Sequence, residues 1–164
     1  KKANIAIFNQ AQKEPSLHGM GTTATAAVIS EKTMEIAHIG DSRLYIIRSG
    51  SMRKATRDHT LAEQFLADGL LKPEEMRSNP YNHILTRALG VEEDVSIDHY
   101  QESLEADDII MLCSDGLSDL VSEEEMLVVL GDGSLNLNQA AQGLIEKALN
   151  YGGSDNITII LSRI

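Results

Sequence analysis

The sequence has little of what marks secreted, membrane-spanning or nucleic-acid-binding proteins. It has one cysteine, Cys113, which excludes an internal disulfide framework and a cysteine-cluster zinc site and predicts a reducing, cytoplasmic environment. Its longest apolar runs, such as 109–113 and 157–161, are far short of the roughly 18 residues that a membrane span needs. Basic residues are also few: 14 Lys and Arg against 25 Asp and Glu give a net charge of −11, which repels nucleic acids and anionic membranes.

The rest of the composition is that of an ordinary globular protein. Hydrophobic residues make up 42% and charged residues 24% of the 164 positions, which argues against a disordered chain. A chain of this length can bury a core without a disulfide or a structural metal. We therefore expect a single domain over residues 1–164.

Hydrophobic periodicity and turn signals divide the chain into strands and helices. The predicted strands are 22–29, 34–39, 44–48, 52–56, 95–100, 109–113 and 157–161; the predicted helices are 3–12, 61–69, 73–76, 123–130 and 137–149. The first four strands are predicted to form an antiparallel meander, and 79–90 receives no assignment. Grouped strands with segregated helices favour an α+β fold built on antiparallel sheets. No capping residue precedes the first helix, so we expect the chain to be N-terminally truncated.

Four aspartates stand at turns directly after predicted strands or beside glycines: Asp41, Asp115, Asp119 and Asp155. A lone aspartate at such a position is usually a turn-former, because its side chain bonds nearby backbone amides. Four together favour a site for a hard cation such as Mg²⁺ or Mn²⁺. If folding brings Asp115 and Asp155 together, their repulsion is costly without a cation. For Asp119, a first-turn acid stabilised by the helix dipole is an equal alternative.

An ordered set of motifs resembles one family over nearly the whole chain. The motifs are Gly19-Met20-Gly21-Thr22-Thr23, Ala37-His38-Ile39-Gly40-Asp41-Ser42-Arg43, Thr56-Arg57-Asp58-His59-Thr60, Leu85-Thr86-Arg87-Ala88-Leu89-Gly90, Cys113-Ser114-Asp115-Gly116-Leu117-Ser118-Asp119 and Gly153-Ser154-Asp155-Asn156-Ile157-Thr158. They occur in the order found in the metal-dependent protein phosphatases of the 2C type, particularly the bacterial Ser/Thr phosphatases.

The resemblance implies an antiparallel β-sandwich flanked by helices, with a binuclear Mg²⁺ or Mn²⁺ centre. Asp115 and Asp155 match metal-bound aspartates of the family, whereas Asp41 and Asp119 match positions of a third, weaker metal in bacterial members. The insertion at about 57–82 resembles a mobile flap. The implied activity is hydrolysis of phosphoserine and phosphothreonine by a metal-activated water, on proteins phosphorylated by a Ser/Thr kinase.

Two residues next to Asp41 are candidates for binding substrate phosphate. These are Ser42 and Arg43, although pairing with an acidic neighbour is the default for an arginine in so acidic a chain. Among the other reactive side chains, Cys113 is expected to be a buried thiol and His59 to hold the base of the flap.

The departures from the family pattern lie at the start of the chain and around Pro80, where Asn79 and Tyr81 replace the usual histidine and basic residue. The family's opening Arg…Asn-Glu-Asp and Asp-Gly segments are expected to precede the first helix, so this chain alone is expected to have an incomplete metal site and weak or no activity. Exposed sheet edges would then favour self-association. The alternatives are a non-catalytic regulatory or interaction domain with the same fold and, more narrowly, the sporulation-type phosphatase branch, against which the long insertion argues.

Overall fold

The computed structural model describes residues 1–76 and 79–164, which form two compact units. Unit 1 comprises 1–28, 35–41 and 57–100, and unit 2 comprises 29–34, 42–56 and 101–164. Residues 77 and 78 of the predicted flap lie outside the described residues. Within the described ranges, no helix is both long and apolar enough to cross a bilayer.

The first sheet has the strand order β1-β2-β5, and the second has the order β4-β3-β6-β7. The strands are β1 (Ala24–Ser30), β2 (Thr33–Ile39), β3 (Arg43–Arg48), β4 (Ser51–Lys54), β5 (Asp98–Ser103), β6 (Ile109–Cys113) and β7 (Ile159–Arg163). The helices are α1 (Lys2–Lys13), α2 (Leu61–Ala67), α3 (Asp115–Ser118), α4 (Glu123–Leu130) and α5 (Leu137–Asn150), with 3₁₀ turns at Pro15–Leu17 and Pro73–Glu75. The prediction of an α+β fold on antiparallel sheets is confirmed.

In unit 1, a buried asparagine fastens α1 to the loop that precedes β5. Asn4 is 2% exposed. Its Nδ2 donates to the carbonyl oxygens of Glu92 (3.0 Å) and Glu93 (2.9 Å), and its Oδ1 accepts from the backbone N–H of Gly90 (2.7 Å). Burying an amide is favourable only when it is bonded in this way. The start of the chain is therefore attached by specific polar contacts as well as by apolar packing.

In unit 2, the antiparallel sheet packs one face against α3, α4 and α5. The core of this unit contains Tyr45, Ile47, Ile109, Met111, Cys113, Leu117, Val121, Met126, Leu130, Ala140, Leu144 and Ala148. Cys113 is 4% exposed, as the sequence predicts for a core thiol. The strand residues in the core are odd-numbered because alternate side chains of a strand point to the same face.

The predicted capping box opens α4. Ser122 Oγ accepts from the backbone N–H of Glu125 (3.2 Å), and the Glu125 carboxylate accepts from the backbone N–H of Ser122 (3.1 Å). The same arrangement between Asn136 and Gln139 opens α5. These reciprocal bonds satisfy amides that the first turn of a helix leaves without partners.

The predicted meander is wrong, because β2 and β3 belong to different sheets. The chain changes sheets through Gly40, whose φ of +104° is a conformation that side-chain-bearing residues rarely adopt. The two hairpins, β1–β2 and β3–β4, form as expected. Residues 79–90, which received no assignment, form turns and two isolated bridges, Thr22 with Leu89 and Thr60 with Leu85.

Three strands begin later than predicted. β1 starts at Ala24 instead of Thr22. β5 starts at Asp98 instead of Val95. Val95 lies in the loop before the strand, where it is buried against Ile39 and Leu89. β7 starts at Ile159 instead of Ile157, which packs against the helical core just before the ladder of β7 begins. Before β5 and β7, an apolar loop residue packs against a core cluster, and periodicity alone does not distinguish such a loop residue from a strand residue.

Candidate functional site

The segment after β6 carries two of the candidate aspartates, one at each end of the short helix α3. Ser114 precedes α3, and Asp115 is its first residue. Asp115 Oδ1 accepts from the backbone N–H of Gly116 (2.8 Å). The backbone N–H of Asp119 donates to the carbonyl oxygen of Asp115 (2.9 Å), so the two aspartates are one helical turn apart. Both are partly exposed, as a ligand-binding carboxylate requires.

The loop before β7 carries the third aspartate and contacts the start of α3 directly. Ser114 Oγ donates to the carbonyl oxygen of Asn156 (3.0 Å) and accepts from the backbone N–H of Thr158 (3.0 Å). The Ser114 N–H donates to the carbonyl oxygen of Thr158 (3.1 Å). Asp155, immediately before Asn156, is exposed, and its Oδ1 accepts from the next backbone N–H (2.6 Å). Folding therefore brings the segments of Asp115 and Asp155 together.

Gly116 permits this close approach. A Cβ at this position would overlap the carbonyl oxygen of Asn156. The two aspartate-bearing segments can therefore touch only because residue 116 lacks a side chain. Glycine is required here by proximity, since its φ is not in the left-handed region.

A buried hydroxyl on α3 has no protein partner within residues 1–76 and 79–164. Ser118 is 7% exposed, and its Oγ makes no hydrogen bond there. It stands one position before Asp119. A buried polar atom without a partner is destabilising unless water or a ligand bonds it. This end of unit 2 thus has spare hydrogen-bonding capacity beside its carboxylates.

The structure divides the predicted site residues between the two units. Asp41 follows β2 and belongs to unit 1, whereas Ser42 and Arg43 belong to unit 2, like the other three aspartates. Arg43 begins β3, and its Nη1 lies 3.5 Å from the hydroxyl of Tyr45. Burial raises the pKa of that tyrosine, so it stays neutral and acts only as a hydrogen-bonding group.

The turn before Asp41 is held by a histidine. The backbone N–H of Gly40 donates to His59 Nδ1 (3.0 Å), and the backbone N–H of His59 donates to the Gly40 carbonyl oxygen (2.8 Å). Because Nδ1 accepts, the ring proton is on Nε2, which donates to Asp98 Oδ2 (3.1 Å). Burial lowers the pKa of His59, which keeps this neutral form. His59 therefore positions the turn at the base of the predicted flap.

Asp98 is the centre of this network, and sequence reasoning missed it. Its carboxylate accepts from Arg87 Nη1 (2.8 Å) and the Tyr100 hydroxyl (3.0 Å) as well as from His59. Partial burial opposes ionisation, but these three hydrogen bonds outweigh it and hold the pKa of Asp98 well below its usual range. The sequence indicated only that Asp98 and Tyr100 lie on the same face of a predicted strand, because side chains alternate between the two faces.

A polar cavity of about 470 Å³ adjoins this network at the N-terminal end of α2. Two arginines line it, and each has a carboxylate partner: Arg57 Nε donates to Glu63 Oε1 (3.0 Å), and Arg87 is bonded to Asp98. Asp58 adds a third carboxylate, so the charged residues that line the cavity have a small excess of negative charge.

The carboxylates of this region are candidate metal ligands. Within the described part of the chain, no three His, Cys, Asp or Glu side chains are grouped so that they could hold an ion together. The contacting segments of Asp115 and Asp155, with Asp119 one turn on, supply carboxylate oxygens suited to a hard cation. The donor type fits Mg²⁺ or Mn²⁺, although the described residues do not supply a full coordination shell.

Comparison with known proteins identifies relatives of one kind. The family described as Protein phosphatase 2C matches residues 2–64. The serine/threonine phosphatase stp of Listeria innocua is 40% identical over 161 residues, which is 98% of this chain and 64% of that protein. The chain thus spans about two thirds of the length of this relative.

Solved structures agree over almost all of the chain. The serine/threonine phosphatase PstP/Ppp of Mycobacterium tuberculosis is 38% identical, with a TM-score of 0.92 over 98% of this chain and 67% of that one. The catalytic domain of PstP in complex with two manganese ions has a TM-score of 0.87 over 98% of this chain and 66% of that one, at 38% identity. With this agreement in sequence and in fold, the chain belongs to the protein phosphatase 2C family.

Proposed function

We propose that this chain is the larger part of a metal-dependent protein serine/threonine phosphatase that hydrolyses phosphoserine and phosphothreonine. The observation that carries the proposal is the direct contact between the segments of Asp115 and Asp155, made by Ser114 and allowed by Gly116. Two carboxylates on touching segments repel each other unless a cation lies near them. Family membership supplies the class of reaction.

The aspartates hold the metal in this proposal, and the protein supplies no nucleophile. Asp115 and Asp155 are ligands of the binuclear Mn²⁺ or Mg²⁺ centre, while Asp119 and Asp41 serve an additional, weaker ion. The bound ions lower the pKa of a coordinated water and neutralise charge on the phosphoryl oxygens. The relative PstP was solved with two manganese ions, which supports this metal. Ser114 keeps the two ligand segments together, and His59 holds the turn that presents Asp41.

Substrate binding is assigned to the two residues that follow Asp41. Arg43 is a partly exposed residue at the start of β3, where its guanidinium is proposed to contact a phosphate, and Ser42 can donate its hydroxyl. The substrates are phosphoproteins made by a serine/threonine kinase, in the cytoplasm. Self-association through sheet edges is also proposed for this chain.

A non-catalytic interaction domain is the second candidate. It is favoured by the lack of a three-ligand metal group in residues 1–76 and 79–164, and by the coverage of 64% of the Listeria protein. On this alternative the aspartates are turn-formers and bind no ion tightly.

Manganese binding and hydrolysis separate these candidates. We would titrate the chain with Mn²⁺ by electron paramagnetic resonance and assay Mn²⁺-dependent hydrolysis of a phosphothreonine peptide. The assay would be repeated with the family's opening segment joined to the chain. The test variant is Asp115→Asn, and the matched control is Asp94→Asn, because Asp94 is highly exposed and pairs with the exposed Lys1.

The proposal predicts Mn²⁺ binding by the chain that Asp115→Asn weakens at least tenfold and Asp94→Asn leaves unchanged. The joined protein should hydrolyse the peptide, and Asp115→Asn should abolish that activity. Absence of both binding and hydrolysis would favour the interaction domain.

A further inference from the structure

The backbone that leads into Asp41 is bonded to a histidine ring. Gly40 is buried where the chain leaves β2, and its N–H donates to His59 Nδ1 (3.0 Å). A buried backbone N–H needs such a partner. The N–H of His59 in turn donates to the Gly40 carbonyl oxygen (2.8 Å). The turn that carries Asp41 therefore depends on an acceptor at Nδ1 of this ring.

The carboxylate of Asp98 determines where the proton of that ring lies. A neutral imidazole has one N–H and one lone pair, so a ring that donates at Nε2 accepts at Nδ1. His59 Nε2 lies 3.1 Å from Asp98 Oδ2, and an ionised carboxylate can only accept. Asp98 is the first residue of β5, which neighbours β2 in the same sheet. The acceptor is thus mounted on a regular strand beside the one that leads to Asp41.

Two further donors fix the orientation of the carboxylate. Arg87 Nη1 donates to Asp98 Oδ1 (2.8 Å), and the Tyr100 hydroxyl donates to Oδ2 (3.0 Å). A guanidinium has no acceptor, so the atom that faces Arg87 must be an oxygen. Oδ2 is consequently the atom left to face His59.

We propose that Asp98 is a positioning residue for the metal site, because it holds His59 in the tautomer that bonds the backbone before Asp41. The metal role of Asp41 rests on the proposed function, whereas the connection from Asp98 through His59 to Gly40 does not. In this connection Asp98 acts as a hydrogen-bond acceptor, in the way that a carboxylate behind a metal-binding or catalytic histidine sets its tautomer. A carboxylate that served only as the ion-pair partner of Arg87 would have no such effect on the ring.

The isosteric variant Asp98→Asn should reverse the tautomer. Because Arg87 requires an acceptor, the amide oxygen takes the place of Oδ1 and the amide NH₂ faces His59 Nε2. That nitrogen must then accept, and the ring proton moves to Nδ1, where it opposes the N–H of Gly40. The ring cannot move away easily, since His59 is 3% exposed and its centroid lies 4.8 Å from that of His38. The backbone before Asp41 must therefore shift.

Nitrogen-15 NMR of the histidine rings distinguishes the tautomers, because a protonated ring nitrogen and one with a free lone pair resonate far apart. At pH 7.5 the parent chain should have Nε2–H at His59. Asp98→Asn should have Nδ1–H and displaced amide resonances for Gly40 and Asp41. The matched control is Tyr100→Phe, which removes one bond to the same carboxylate oxygen but leaves it an acceptor, so it should keep Nε2–H.

Two results of this experiment would overturn the proposal. One is Nδ1–H in the parent chain, and the other is Nε2–H in a folded Asp98→Asn. The parent spectrum requires no variant, so the proposal stays falsifiable even where Asp98→Asn does not fold, which circular dichroism would show.

Mn²⁺ titration by electron paramagnetic resonance connects the turn to the metal site. Asp98→Asn should weaken Mn²⁺ binding severalfold, to about the same extent as Asp41→Asn. The double variant should bind no more weakly than Asp41→Asn alone, because both substitutions act on one ligand. Losses that add in the double variant would overturn the proposal, since Asp98 would then act elsewhere.

Failure of the proposed function would look different. If Asp41→Asn leaves Mn²⁺ binding unchanged, the assignment of Asp41 as a metal ligand is wrong. The ring tautomer in the parent and in Asp98→Asn still decides whether Asp98 holds the turn through His59, because that measurement needs neither metal nor activity.

Discussion

At the scale of single residues, the site depends on a glycine where two backbones touch. Substituting Gly116→Ala places a methyl group against the Asn156 carbonyl oxygen, so the loop before β7 must move away from α3. We expect the free energy of unfolding to fall by about 1–3 kcal/mol, the usual cost of overpacking. Urea denaturation monitored by circular dichroism would measure it.

The control for this substitution is Gly133→Ala, where a Cβ meets nothing within 4 Å. Helix and strand propensities are irrelevant there, since Gly133 lies in a turn between α4 and α5. Equal effects of the two substitutions would show that contact with Asn156 does not determine the cost. Mn²⁺ affinity should also fall in Gly116→Ala and stay unchanged in Gly133→Ala, because only the former separates the Asp115 and Asp155 segments.

The neutral His38 should make stability depend on pH. His38 is fully buried; its Nε2 donates to the Arg57 carbonyl oxygen (3.0 Å), and its Nδ1 is 2.9 Å from Thr25 Oγ1. Burial, with the neighbouring His59, lowers the pKa of His38 from 6.5 to about 4. Between these two pH values the unfolded chain binds more protons than the folded chain. The contribution of neutral His38 to the free energy of unfolding is therefore complete above pH 6.5 and decreases as the pH drops toward 4, by about 3 kcal/mol in total.

Urea denaturation at pH 7.5, 6.5, 5.5 and 4.5 would measure this loss. The His38→Gln variant should be less stable at pH 7.5 but should show a flatter pH dependence, with the remaining slope due to His59, whose pKa is also lowered. Parallel curves for the parent and the variant would contradict the assignment.

At the scale of secondary-structure elements, an ion pair fastens the end of β3 to the turn before β6. Arg48 Nε and Nη2 donate to the two carboxylate oxygens of Asp108 (2.8 and 2.6 Å), whose side chain is 1% exposed. Asp108 also accepts from the backbone N–H of Glu105 (2.8 Å). Replacing Asp108→Asn removes the buried carboxylate partner of Arg48 and leaves it paired with the exposed Glu105, and we expect a loss of about 1–3 kcal/mol of unfolding free energy.

The matched variant is Glu105→Gln. Glu105 also accepts from Arg48 (2.8 Å), but its side chain is 66% exposed, so the pair is screened by water and its loss should cost less than about 1 kcal/mol. Guanidinium chloride would screen such pairs, so urea is the appropriate denaturant. A cost for Glu105→Gln as large as that for Asp108→Asn would show that burial does not set the strength of this contact.

Local signals in the sequence were sufficient for some elements and not for others. The Ser122 and Glu125 pair predicted the start of α4, because a capping box involves residues three apart. The predicted meander was wrong because β3 pairs with β6, which joins residues about 65 positions apart, for example Tyr45 with Met111. No local sequence pattern indicates which of two distant strands will pair. The bond between His59 and Asp98, 39 positions apart, was missed for the same reason.

At the scale of the whole molecule, the acidic charge opposes every contact between two copies. The net charge of −11 produces a repulsion that reaches about 10 Å at 0.1 M salt and about 3 Å at 1 M salt. Backbone hydrogen bonds between sheet edges, through which we propose self-association, do not involve ion pairs, so salt should leave them intact. Repulsion and attraction therefore depend on salt differently.

Raising NaCl from 0.05 to 0.5 M should therefore strengthen self-association through sheet edges, with the dissociation constant falling severalfold in sedimentation equilibrium. An interface built on ion pairs between copies would weaken instead, because salt screens attraction as well as repulsion. Association that weakens as the salt concentration rises would contradict this prediction.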